Sequence, residues 1–113
     1  MKKKNTIFCD IDGTIFKYRK FETYKTSEAE PIPSTVKYLQ KQQKEGHMII
    51  VTTARPHDML GHTMWELKNH NIPYQRLLMG LERGLRYLVN DMDPEKEGDR
   101  AIAVNLIRNQ GFN

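Results

Sequence analysis

Two aspartates spaced two residues apart, Asp10 and Asp12, close an apolar run that begins at Ile7, and Gly13 and Thr14 follow at once. Carboxylates at this spacing can bind a metal, move protons, or do both. Two later stretches end in the same way: 48–52 runs into Thr53-Ala54-Arg55-Pro56, and 86–89 runs into Asn90-Asp91-Met92-Asp93. Gathered at one sheet edge, these ends make an acidic pocket with hydroxyl and cationic groups, which suits Mg²⁺ and a phosphate. Magnesium is a hard ion that takes one or two carboxylates, with water and substrate phosphate completing its shell, so Asp10 and Asp91 would suffice. A carboxylate that attacks a phosphate dianion meets charge repulsion, which a divalent ion and a nearby cation relieve. Arg83 or Arg86 could supply that cation.

The elements that must position these groups read as an α/β chain. An apolar run bounded by glycine predicts a buried strand, and carboxylates that are costly inside a sheet are tolerated at its carboxyl end. Residues 15–30 alternate aromatic and basic side chains roughly, predicting a short hairpin or flap over the strand tip. Pro31-Ile32-Pro33-Ser34 then opens a helix with Ile32, Val36 and Leu39 on one face, ended by Gly46. Strand 48–52, continuous and apolar, has the pattern of a parallel strand covered on both faces. The resulting βαβ unit places both strand tips on the same edge, so that Thr53 and Arg55 face Asp10 and Asp12. Pro56 opens a second helix to about Asn69, with Leu60, Met64 and Leu67 on its apolar face. Strands are predicted at 76–79, 86–89 and 100–104, and 105–113 is a short helix or tail. Gly80 to Leu85 is too short for the helix that usually joins parallel strands.

Composition limits the rest. A chain of 113 residues, 38% hydrophobic and 28% charged, supports one domain spanning 1–113 around a modest core. Much of the net charge of +4 comes from the lysines at 2–4, which read as a solvated end. No apolar stretch is long enough to span a bilayer and no signal-peptide core opens the chain, so membrane association is not expected and a cytoplasmic location is. A single cysteine, Cys9, rules out an internal disulfide framework and fits a reducing compartment. The Cys-x5-Arg cradle of cysteine phosphatases would need arginine at Ile15. The four histidines lack metal-ligand spacing. Basic residues are scattered rather than striped with aromatics, so nucleic acid is not the expected partner.

Within the first motif, Asp10 is placed to be a nucleophile and Asp12 to protonate a leaving group and then deprotonate water. An ordinary aspartate is a poor acid near neutrality, so that role requires surroundings that raise Asp12. Thr14 and Thr53 offer hydroxyls to phosphate oxygens, Arg55 is a candidate substrate contact, and backbone amides after Asp10 could join them.

These residues resemble the haloacid dehalogenase superfamily of aspartate-nucleophile phosphatases. Asp10-Ile11-Asp12-Gly13-Thr14 matches its first motif, Thr53 its second, and Asp91 its metal-binding fourth. The resemblance implies a single-domain, Rossmann-like, mostly parallel sheet flanked by helices. It also implies that Asp10 forms an aspartyl-phosphate, that Asp12 acts as acid and base, and that Mg²⁺ is held by Asp10, the Asp12 carbonyl and Asp91. Two departures stand out. No lysine lies between Leu77 and Asp91 for the third motif, leaving Arg83 or Arg86 as its substitute, and Asn90 stands where a paired aspartate is common, with Asp93 close by. There is no room for an inserted cap domain, so this resembles a capless member, whose site 15–30 or a neighbouring subunit of a homo-oligomer could cover. The function implied is Mg²⁺-dependent hydrolysis of a small phosphorylated metabolite, a sugar phosphate ahead of a nucleotide. The alternatives are a catalytically weak or inactive binding or regulatory module of the same fold, and a phospho-acceptor signalling domain.

Overall fold

The computed structural model describes residues 3–112; Met1 and Lys2 of the lysine-rich end, and Asn113 of the tail, lie outside it. Three strands, β1 (Thr6–Asp10), β2 (Met48–Thr52) and β3 (Arg76–Leu78), form a parallel sheet in the order β1-β2-β3. Helix α1 (Pro33–Lys44) connects the first pair and α2 (Leu60–Asn69) the second. Pro33 sits in the first turn of α1, where its missing N–H costs nothing, and the chain leaves that helix through Gly46 at φ +89°, a conformation that favours glycine.

Register fixes which side chains share a face. Cys9 pairs with Val51 and Val51 with Leu77, and Ile7 pairs with Ile49. This row packs with Leu39 of α1 and Leu67 of α2 into one core, together with Ile11, Ile15 and Phe16. Both crossovers advance the chain in the same direction across the sheet, and right-handed crossovers then deliver both helices to one face. The opposite face, carrying Phe8, Ile50 and Leu78, is left largely bare: Phe8 is 48% and Leu78 42% exposed.

Several expectations are corrected. The stretches 86–89 and 100–104 form no strands; they lie in an irregular, almost wholly exposed arm between Leu81 and Leu106. Segment 15–30 is no hairpin. Only its base is paired, Lys17 N–H donating to the Glu30 carbonyl and Ile32 N–H to that of Ile15, each at 2.8 Å, with a single 3₁₀ turn at Phe21–Thr23 between. In α2 the buried positions are Thr63, Glu66 and Leu67, whereas Leu60 and Met64 are exposed. An apolar stripe does not determine how this helix is rotated; a buried polar network does. Among the described residues no helix is long and apolar enough to cross a membrane.

Candidate active site

β1 and β2 end side by side, Asp10 level with Thr52, so the residues just beyond both strands meet. Beyond β1 the chain turns sharply. The amides of Thr14, Ile15 and Phe16 all donate to the Ile11 carbonyl and that of Gly13 to Phe16, so these amides are spent within the turn and are not free to cradle a phosphate. Gly13 has φ +90°, a conformation that favours glycine, and the Arg108 side chain packs over it with its Cγ 3.1 Å from where a Cβ would stand. The returning tail closes the turn, with Asn109 N–H donating to the Gly13 carbonyl at 2.8 Å.

Asp10 and Asp12 are treated very differently. Asp12 accepts hydrogen bonds from Arg55, Nε to Oδ2 at 3.0 Å and Nη2 to Oδ1 at 2.8 Å. Asp10 forms no ion pair among the described residues; the Thr14 hydroxyl donates to its Oδ2 at 3.2 Å. Although its surface is open, Asp10 stands amid enough protein to lose hydration. That loss raises its pKa from the ordinary 3.8, the Thr14 hydrogen bond opposes the rise, the charge of Asp12 adds to it, and the Ile11 amide and the charge of Arg86 oppose it.

Arg55 lies on the protein side of this pair. Its side chain is only 1% exposed, and Nη1 donates to the Thr63 hydroxyl at 3.0 Å and to Glu66 at 2.8 Å. Burial works against its charge, but the hydrogen bonds and charges of Asp12 and then Glu66 prevail and raise its pKa. Tyr24 covers it, 4.4 Å from guanidinium to ring centroid; burial, the charge of Asp12 and a hydrogen bond to Asp12 push the Tyr24 hydroxyl up to about 12. Glu66 also binds Arg19 at 3.0 Å. Four of the five Arg55 N–H donors are thus engaged inside the protein, a placement at odds with the expected substrate contact. Its two hydrogen bonds hold the Asp12 carboxylate in place.

The other predicted residues divide. Thr53 lies at the end of β2 as expected, but is 1% exposed, and its hydroxyl accepts from Arg55 N–H at 3.1 Å. Arg86 is close enough for its charge to lower the Asp10 pKa, whereas no hydrogen bond or ion pair engages Arg83 among the described residues. Asp91 is 80% exposed in its side chain and faces Arg100 at 3.5 Å. No group of three or more His, Cys, Asp or Glu among the described residues could hold a metal, so Asp91 is not gathered with Asp10 and Asp12. Cys9 is buried and its thiol is pushed up to about 12, first by burial and then by the charge of Asp10, which leaves it inert.

Sequence reasoning missed Tyr24, Thr63 and Glu66. Thr63, Glu66 and Leu67 do stand at helical spacing, and a guanidinium leaving a strand tip beside aspartates needs further anions, so Glu66 had a faint signal. Tyr24, in an irregular segment, had none.

Comparison with known proteins is consistent with this geometry. A sequence profile described as haloacid dehalogenase-like hydrolase matches residues 7–75. No curated protein matches the chain. A crystal structure from Vibrio cholerae is similar at a TM-score of 0.56 and 16% identity, over 80% of this chain and 85% of that one. A chain in the structure of a Pnkp1/Rnl/Hen1 complex is similar at a TM-score of 0.61 and 21% identity, over 74% of this chain but 30% of that one. At these identities the two structures speak to the fold alone.

Proposed function

Because the chain belongs to the haloacid dehalogenase-like hydrolases, we propose that it is a Mg²⁺-dependent phosphomonoesterase that uses Asp10 as its nucleophile. The observation that carries this reading is the contrast at one strand tip: Asp12 is locked to Arg55, while Asp10, two residues away, is exposed and forms no ion pair among the described residues. In the first step an Asp10 oxygen bonds to phosphorus as the phosphorus–oxygen bond of the ester breaks, and Asp12 protonates the leaving oxygen. In the second, Asp12 takes a proton from water, which attacks phosphorus, frees Asp10 and yields inorganic phosphate. Both Asp12 oxygens are held by Arg55, so passing a proton requires one of those bonds to open.

The donor set at the tip suits magnesium, a hard ion content with few carboxylates. Asp10 would hold it, with the Asp12 carbonyl and Asp91 as the resemblance implies. When bound, it would neutralise charge on the phosphate oxygens. Thr14 orients Asp10, Thr53 would donate to a phosphate oxygen, and Arg86, rather than Arg83, stands in for the absent lysine. The substrate in this reading is a small phosphorylated metabolite, with sugar phosphates ahead of nucleotides. A phosphate-release screen over both classes with Mg²⁺ tests it. Release from at least one class that stops on chelation is expected; no release from any phosphomonoester would overturn it.

A further inference from the structure

Three arginines stand around the strand tip, and they are used differently. Arg55 is buried and tied to Asp12, Thr63 and Glu66. Arg86, whose charge reaches Asp10, donates through Nη1 to the Glu82 and Gly84 carbonyls of its own loop at 2.6 and 2.7 Å. Arg108 is exposed, and no hydrogen bond or ion pair engages its guanidinium among the described residues.

That free cation is nevertheless held in place. Its stem packs over Gly13, the residue after Asp12, and its guanidinium lies over the Tyr18 ring, 4.2 Å from the centroid. Stacking of this kind uses a face of the guanidinium and leaves its N–H edge open, and that edge is the part that matches a carboxylate or a phosphate two bonds at a time. The residues that follow are spent on anchoring. Asn109 N–H donates to the Gly13 carbonyl at 2.8 Å and Asn109 Oδ1 accepts from Tyr18 N–H at 2.6 Å, so one residue ties the turn to the segment that carries Tyr18. Phe112 N–H donates to the Ser34 hydroxyl at 2.9 Å, and its ring stacks on Tyr38 with centroids 4.3 Å apart. Gly111 is buried against Ile32 and Ser34 at the start of α1, with no room for a Cβ. The tail is thus a clasp whose seated residues hold one unspent cation at the turn.

The place of that cation selects a part of the substrate. Gly13 adjoins Asp12, and Tyr18 lies near Tyr24: after burial and Asp12, the charge of Tyr18 also raises the Tyr24 hydroxyl, which bonds Asp12. In the phosphatase reading Asp12 serves the leaving oxygen, so Arg108 borders the side from which the rest of the substrate departs, whereas Arg86 serves the transferred phosphate.

We propose that Arg108 is a specificity-determining residue that binds a second anionic group, phosphate or carboxylate, on the leaving part of the substrate. The preferred substrate is then a phosphomonoester that carries two anions. This assignment rests on the phosphatase reading.

Two matched pairs of compounds test it: fructose bisphosphate with fructose monophosphate, where the second anion is a phosphate, and phosphoglycerate with glycerol phosphate, where it is a carboxylate. With Mg²⁺, the wild type should favour the doubly charged member of at least one pair in kcat/KM, and the pair favoured tells which anion is read. Arg108→Gln should reduce that preference by about tenfold to a hundredfold, mostly through KM, as expected for the loss of charge-assisted hydrogen bonds. Arg108→Lys, which keeps the charge but not the fork, should restore part of it. A wild type indifferent to the second anion, or a preference that survives Arg108→Gln, overturns the proposal. Calorimetric binding of the same compounds to Asp10→Asn, with and without Arg108→Gln, separates the contact from hydrolysis. If the wild type releases no phosphate but Arg108→Gln weakens binding of the doubly charged compound, the phosphatase reading fails and the anion contact stands. Phosphate release without any such weakening removes Arg108 and leaves the phosphatase.

Discussion

Arg55 grips Asp12 through two hydrogen bonds, at 3.0 and 2.8 Å, and the same guanidinium reaches Glu66 at 2.8 Å, so one buried cation ties the strand-tip turn to α2. Asp12, Arg55 and Glu66 are separated by 43 and 11 residues in sequence. The turn that follows Asp10 is therefore tied through Arg55 to the buried face of α2.

Arg55→Ala strands the Glu66 and Asp12 carboxylates without their cation. Breaking a buried ion pair from one side costs about 3–5 kcal/mol. Urea denaturation should show a midpoint lowered accordingly, and Arg55→Lys, which keeps the charge but loses the two-pronged grip on Asp12, should recover only part of the loss. An unchanged midpoint for Arg55→Ala would mean that the network is not a support.

Asp10 gives a prediction in pH. Its folded-state pKa lies above the unfolded value, so the native chain holds this proton more tightly; the benefit is full below the ordinary aspartate value of 3.8 and is lost as pH rises through the folded value. At pH 7 the ionised carboxylate is therefore a net cost. Asp10→Asn should melt at a higher temperature than wild type at pH 7, and the difference should shrink as pH falls toward 4. A variant less stable than wild type at neutral pH contradicts the desolvated, like-charged tip.

Cys9 should prove chemically silent. A thiol reagent should label it slowly in native protein and rapidly in denaturant, since burial withholds both access and the thiolate form. Cys9→Ala should keep phosphate release within a few-fold of wild type. Loss of activity on alkylating native protein would return a cysteine to the chemistry.

Local patterns made the strand tips readable. β1 and β2 declared themselves as apolar runs ending in Asp10 and Thr53, and Pro33 and Gly46 bracketed α1, because each signal lies within a few residues of what it specifies. The rotation of α2 was not legible. Its buried face is set by what Arg55 demands from Thr63 and Glu66, a constraint carried by a residue outside the helix. The arm shows the opposite failure. Residues 86–89 and 100–104 have strand composition, yet they lie exposed outside the sheet, because local composition does not say whether a neighbouring strand is there to pair with. Arg83 and Arg86 were equivalent in sequence, and only the path of the arm sets Arg86 by Asp10.

The most direct measurement is phosphate release from an aryl phosphate with Mg²⁺, comparing wild type with Asp10→Asn at equal concentration. Removing a nucleophile that forms a covalent intermediate should lower the rate by at least about a thousandfold, with the circular dichroism of the fold unchanged. Equal rates in the two proteins would contradict Asp10 as the attacking group.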